Sequence, residues 1–292
     1  MNENQFETEL IQYITTGTIT KPECLAGIPE FSAVGLGNKF VKTKLWKHEP
    51  NIKTTSQLWD NFKQILEQHN QNVLEHPMSE VEFNQVKKII SDLHTPYEAG
   101  QFLYGLNGVS QIEIDLDDGR HVFLTVFDQK QIGAGDTVYQ VVNQIERPAV
   151  INGKKNRRFD TTLLINGLPM IQIEEKKDTH DVNEALNQMH QYIDEGQYGD
   201  IFSVLQILIA MTPNNVKYMA NTTSEKFNKD FAFNWQRKED NTIVRDWKEF
   251  ADSMLSIPMA HQMATNYMIL DGTPNKQTLK VMRPYQVYAT QE

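Results

Sequence analysis

A chain of 292 residues with a 39% apolar fraction can bury the core of one large domain, or of one domain with an appendage. Its single cysteine, Cys24, excludes an internal disulfide and suits a reducing cytoplasm. A net charge of −10 argues against a freestanding, non-specific DNA binder, which would be basic, and leaves DNA contact to a local patch. The polar, acidic start is no signal peptide, and the longest apolar stretch, residues 201–211, carries Ser203 and Gln206 and is too short to span a bilayer.

In chain order, Leu10, Ile11 and Ile14 predict a short helix over residues 5–14, with Phe6 and Glu7 at the edge of its stripe. Residues 17–50 show no period, carry Gly27, Gly35 and Gly37, and are expected to be loop. Leu58, Trp59, Phe62, Ile65 and Leu66 recur at helical spacing, which predicts a helix over 56–73. Ser79 with Glu82 reads as a capping box that opens another, through Val86, Ile89 and Ile90. Residues 109–127 alternate about Asp118-Gly119, the signal of a β-hairpin. A further strand is expected from Tyr139 to Ile145, ending before Pro148.

The next stretch carries chemistry. Leu163, Leu164 and Ile165 form one arm of a second hairpin; Met170, Ile171 and Ile173 form the other, about an Asn166-Gly167 turn. Folding the arms together brings Asp160 beside Glu174. Alternation places Lys176 on the face of Glu174 and turns Glu175 to the opposite face. Two carboxylates and an amine at the open end suit metal-assisted hydrolysis, because hard oxygens hold Mg²⁺. Lys154, Lys155, Arg157 and Arg158 precede Asp160, and Lys177 follows the hairpin. This collar suits a polyanionic substrate; the alternative is a solvated loop.

Val182, Ala185, Leu186, Met189 and Ile193 then predict a helix over 179–196, closed by Gly196. On it Gln188 and Tyr192 project side by side, which an ordinary amphipathic helix also allows. Residues 201–210 and 216–220 are expected to be strands, Phe231, Phe233 and Trp235 alternate, and Trp247, Phe250, Met254 and Leu255 suggest one more helix. The order gives an α/β or α+β core. Residues 279–286 begin a segment left unfinished at residue 292, and no G-x-x-x-x-G-K-[ST] occurs, so a piece of a longer protein is expected.

Asp160, Glu174-x-Lys176 and Gln188-x-x-x-Tyr192 together resemble the PD-(D/E)xK nuclease superfamily, and the last element its RecB-like branch. Asn166-Gly167-Leu168-Pro169, Thr95-Pro96-Tyr97-Glu98-Ala99-Gly100 and Arg283-Pro284-Tyr285-Gln286 resemble type I restriction enzyme R subunits, a likeness that covers essentially the whole chain. The resemblance implies a restriction-endonuclease-like α/β fold, a central mixed sheet flanked by helices. It implies an endonuclease domain over residues 1–258, with its catalytic core at about 100–220, and a connector over 259–292 into an absent superfamily 2 translocase. It further implies Mg²⁺-dependent cleavage of double-stranded DNA beside methyltransferase and specificity subunits, with ATP used by the full-length subunit and not bound by this segment. Asp160, Glu174 and the backbone carbonyl of Glu175 would hold Mg²⁺. Lys176 would activate the water or steady the transition state, and Gln188 would hold the lysine or a phosphate. Tyr192 would lie along the DNA backbone with Lys154, Lys155, Arg157 and Arg158, so loss of Gln188 or Tyr192 is expected to spare folding. Glu7 matches an auxiliary acid, with Glu9 as the fallback, and Gln286 resembles the adenine-reading glutamine of a helicase.

The family usually has an apolar residue where this chain has Glu175, which leaves Glu175-x-Lys177 as a rival triplet; the count from Asp160 favours Glu174 and Lys176. A module of the same fold that only couples DNA to the motor is the rival function, and a glycosidase-like carboxylate pair a more distant one.

Overall fold

The computed structural model describes residues 1–16 and 45–291. Most of the loop expected over 17–50, with Cys24, Gly27, Gly35 and Gly37, lies outside the described residues. The first helix, α1 (Glu3–Thr16), precedes a two-residue strand, β1 (Lys47–His48). Three helices follow: α2 (Thr55–His69), α3 (Glu80–Ser91) and α4 (Pro96–Tyr104). Capping boxes open all three, from Thr54 with Gln57, Ser79 with Glu82, and Thr95 with Glu98. The last helix was not foreseen, although Thr-Pro-x-Glu is a complete start signal, with proline at a position that needs no N–H donor.

The hairpin β2 (Val109–Asp115) and β3 (His121–Asp128) stands apart as a two-stranded sheet. The central sheet uses β4 (Tyr139–Arg147), β5 (Arg157–Ile165), β6 (Leu168–Glu175), β7 (Ile207–Thr212) and β8 (Asn215–Ala220), with strand order β1-β4-β5-β6-β7-β8. It is mixed: β5 runs antiparallel to both β4 and β6, β6 and β7 are parallel, and β7 and β8 are antiparallel. Every residue of β6 and β7 is buried, as expected of strands covered on both faces.

Parallel strands need a crossover, and α5 (Val182–Asp194) provides it between β6 and β7. Asp181 caps its start, and Val182, Ala185, Leu186, Met189 and Tyr192 form its buried stripe. Asn166 and Gly167 turn β5 into β6 with φ of 52° and 81°, the left-handed pair of a tight hairpin turn. A Cβ on Gly167 would stand 2.9 Å from Cα of Phe62 in α2, so this turn also admits a helix that a larger residue would push away.

Past the sheet come α6 (Trp247–Ser253), α7 (Met259–Ala264), β9 (Met268–Asp271), β10 (Thr278–Val281) and α8 (Pro284–Gln291). Trp247 meets Phe6 and Tyr13 of α1 edge-on, at 5.4 Å between ring centroids in each pair. Leu279, Val281 and Val287 join the same core as the central sheet. Two expectations fail. The apolar run at 201–210 is not one strand: Asp200–Val204 forms a 3₁₀ turn and β7 begins at Ile207, because an unbroken apolar run marks burial without choosing an element. The alternation at 231–235 yields only a single bridge, Tyr218 to Phe233.

Candidate active site

Residue pairing between β5 and β6 runs from Ile165 opposite Leu168 to Thr161 opposite Ile173 and stops there. On the other side of β5, the pairs Asn143 with Thr161 and Ile145 with Phe159 skip Gln144 and Asp160. Gln144 has φ of 58°, a left-handed conformation that is rare outside glycine. Asp160 therefore sits where the ladder opens, and its Oδ2 accepts the Glu175 backbone N–H at 3.1 Å. The Asp160 charge acts on the Glu174 carboxyl at this opening. Lys176 places Nζ 3.2 Å from Glu174 Oε1 and 3.1 Å from the Glu175 carbonyl oxygen, while its own N–H donates to Met211. The structure thus brings Asp160, Glu174 and Lys176 together.

Glu175 keeps to the face opposite Glu174, the face of Ile173 and of its cross-strand partner Thr161. Its carboxylate oxygen lies with those of Glu7 and Asp160, all within 4.8 Å of one another, and its Oε1 accepts the Thr161 hydroxyl at 2.7 Å. The ladder to β7 runs on through Glu175, so alternation holds along β6, and it is Asp160, at the opened edge of β5, that brings its carboxyl near that of Glu175. Glu7 enters from α1, its Oε1 accepting from Asn143 Nδ2 at 2.5 Å and its Oε2 from Gln144 Nε2. Glu9, the fallback, accepts instead from Gln5 on the outer part of the helix.

Burial is the main influence on these groups. It raises Glu174 and Glu175 well above the ordinary carboxylate range, and the neighbouring Asp160 charge adds to it. It raises Asp160 too, against the Glu174 hydrogen bond, the Lys176 charge and the Glu175 N–H, and raises Glu7 against the two amides. For Lys176 burial favours the neutral amine, but the Glu174 and Asp160 carboxylates overcome it and hold the ammonium form. Of these four carboxyls only that of Glu174 contacts the Lys176 ammonium. Glu174 Oε2 and Glu175 Oε2 are buried and receive no hydrogen bond, an arrangement costly for bare carboxylates. A hard divalent cation, bound by oxygens, fits this donor set.

Around this centre the expected helpers are placed differently. Gln188 Nε2 donates to Tyr192 Oη at 2.5 Å instead of reaching Lys176. Tyr192 is 2% exposed, its ring 5.0 Å from that of Phe159 and its hydroxyl directed to the Arg158 carbonyl, so it lies in the core and not along a DNA-facing surface. Arg157 grips the buried Glu195 through two bonds, 2.6 and 2.5 Å, which takes it out of the basic collar. Lys154, Lys155 and Arg158 are exposed. Gln286 Oε1 accepts the Arg283 N–H at the start of α8 and lines a cavity of about 640 Å³ with Phe233, Leu279 and Arg283. Sequence reasoning missed Asn143 and Gln144; two adjacent amides between the apolar residues Val142 and Ile145 were the available signal.

The family model for the Type I restriction enzyme R protein N terminus matches residues 35–227, a span that includes Asp160 through Tyr192. The EcoprrI type I restriction endonuclease subunit of Escherichia coli is 37% identical over 178 residues, covering 60% of this chain and 54% of that protein. The SauMSSORF170P endonuclease subunit of Staphylococcus aureus and the SsaAORF53P subunit of Staphylococcus saprophyticus are each 32% identical over 241 residues, covering 82% of this chain and 24% of theirs. The chain therefore spans about half the length of the first relative and about a quarter of the other two.

Proposed function

Because the chain belongs to the family of type I restriction enzyme R protein N termini, we propose that it is the nuclease module of such an enzyme, hydrolysing phosphodiester bonds of double-stranded DNA with Mg²⁺. The observation that carries this reading is the convergence of Asp160, Glu174 and Lys176 where the β5–β6 ladder opens, with two buried carboxylate oxygens that no donor satisfies.

Asp160, Glu174 and the Glu175 carbonyl would hold the ion, which when bound supplies Lewis acidity at the phosphate and an acidified water. Lys176, kept as an ammonium by its two carboxylate neighbours, offers positive charge and a donor toward the developing negative charge and does not act as a base. Gln188 and Tyr192 brace α5 against β5, which fixes the wall of the site. The exposed Lys154, Lys155 and Arg158 would grip phosphates without reading sequence. Sequence choice would lie with specificity and methyltransferase subunits. ATP would be used by a translocase following residues 259–292, with Gln286 at its adenine. No helix among the described residues is long and apolar enough to cross a membrane, and the cytoplasm is the proposed setting.

The test is nicking of a plasmid carrying the recognition site by the assembled enzyme with Mg²⁺ and ATP. Cleavage lost in Asp160→Asn with ATP hydrolysis retained supports the reading. Undiminished cleavage in that variant overturns it, and wild-type enzyme that translocates without cutting favours the coupling module.

A further inference from the structure

We propose that the loop joining β4 to β5, residues 148–156, enters a groove of duplex DNA beside the phosphate to be cut, with Val150 and Ile151 against the bases; this rests on the nuclease reading above. The two apolar side chains are the new element, because the reading so far uses only the cations that follow them.

Val150 is 59% and Ile151 43% exposed, and among the described residues no other two exposed large apolar side chains are adjacent in sequence. Single exposed apolar residues are ordinary, but two together at a loop tip make a patch that water solvates poorly and a partner would cover. A Cβ on Gly153, whose φ is 83°, would meet no atom of the described residues within 4 Å, so the tip faces open space.

The loop is held in shape at its base and across its legs. Arg147 and Arg157 pair where the strands end, and both are engaged by the body of the protein. Arg147 donates to the Thr55 hydroxyl and to the Gln197 carbonyl, each at 2.8 Å, while Arg157 grips Glu195. Gln197 donates in turn to the Pro148 carbonyl at 3.3 Å. The Ala149 N–H reaches Asn156 Oδ1 at 3.0 Å across the legs, and the Lys154 N–H closes the turn on the Ile151 carbonyl at 3.1 Å. A loop shaped in advance gives up less conformational entropy when it binds.

The chemistry favours DNA over a protein surface. From Arg147 to Phe159 the sequence holds no acid, in a chain whose net charge is −10. Lys154, Lys155 and Arg158 are exposed and follow the apolar tip along the chain. Cations for the phosphates and an apolar tip for thymine methyl groups are the two parts that contact within a groove requires. Two chain legs side by side suit the major groove, about 12 Å wide. The reach fits as well. Gly153 precedes Asp160 by seven positions, at most about 25 Å of extended chain, which is less than one duplex turn of about 34 Å.

The experiment makes Ile151→p-benzoylphenylalanine in the assembled enzyme, in an Asp160→Asn background that leaves the DNA whole, and irradiates it on a duplex carrying the recognition site. A cross-link to DNA is the expected result. A cross-link to another protein subunit, or none, overturns the inference. In the cleaving enzyme, Val150→Ser combined with Ile151→Ser should slow cleavage about 10- to 100-fold, the scale for burying an aliphatic side chain, and cleavage within about twofold of wild type overturns the inference. The melting curve of that double variant should be unchanged; should it melt lower, the cross-link decides alone. Undiminished cleavage in Asp160→Asn itself overturns the nuclease reading and this inference with it. Cleavage lost there, with no DNA cross-link from position 151, sinks this inference alone.

Discussion

Asp160 Oδ2 accepts the backbone N–H of Glu175 at 3.1 Å, a side-chain bond standing where the next rung of the β5–β6 ladder would be. It closes the opened end of the hairpin and draws the carboxylates of two successive glutamates toward one aspartate. The chemistry depends on that substitution of a side chain for a backbone partner, and the first prediction follows from it.

In the assembled enzyme, Asp160→Asn, Glu174→Gln and Lys176→Ala should each slow DNA cleavage by at least about 100-fold, the scale for losing one preorganised electrostatic contact. ATP hydrolysis should persist. Normal cleavage in Glu174→Gln together with loss in Glu175→Gln would move the catalytic triplet to Glu175 and Lys177.

Exposed and paired cations of the collar should separate in salt dependence. Lys154→Ala, Lys155→Ala and Arg158→Ala should each lower the slope of log affinity against log salt by up to about 0.9 for a duplex. Arg157→Ala, which frees a buried Glu195, should instead lower the melting temperature and leave that slope unchanged. A slope change in Arg157→Ala without a melting change would contradict the structure.

Tyr192 is core, which corrects the expectation that its loss spares folding. Tyr192→Ala removes a ring packed on Phe159 and Tyr198 and should cost about 3–5 kcal/mol in denaturant unfolding. Tyr192→Phe keeps the ring and frees the Gln188 amide, so it should fold and cleave within about tenfold of wild type. Equal stability of the alanine variant and wild type would show that the ring is not packed as described.

Acid should weaken the fold through His261. Burial lowers this imidazole from the usual 6.5 to about 4, beside the Tyr139 hydroxyl at 2.8 Å. The unfolded chain therefore takes up a proton between about pH 6.5 and 4 that the folded chain refuses. The stabilising contribution is complete above about 6.5 and is lost as pH falls toward 4. In melting curves across that range the wild type should lose stability faster than His261→Gln; parallel curves would count against the buried neutral imidazole.

Gly167→Ala tests the turn. With φ of 81° and Cα of Phe62 2.9 Å from the added Cβ, it combines backbone strain with a clash and should cost about 1–3 kcal/mol in chemical unfolding. A neutral effect would mean that α2 does not press on the hairpin.

Much of this fold was written locally. Asn-Gly between two apolar arms, the Ser79 capping box and the stripe from Val182 to Met189 are signals within a few residues, and each forms the element it predicts. Because β5 and β6 are neighbours in the chain, their turn alone brought Asp160 and Glu174 to the same end. What only the tertiary structure decided involves partners far apart in sequence. Glu7 reaches the site by bonds to amides 136 and 137 positions away, and the left-handed kink at Gln144 that aims one of them has no local signature. That Glu175 meets Glu7 depends on α1 coming to the face that alternation gives Glu175, and the burial of Tyr192 depends on Phe159 of β5. Local propensity sets the direction of a side chain along its own element. Whether that direction is core, solvent or a shared cluster of carboxylates is set by which distant surface packs against it, and no period in the sequence encodes that.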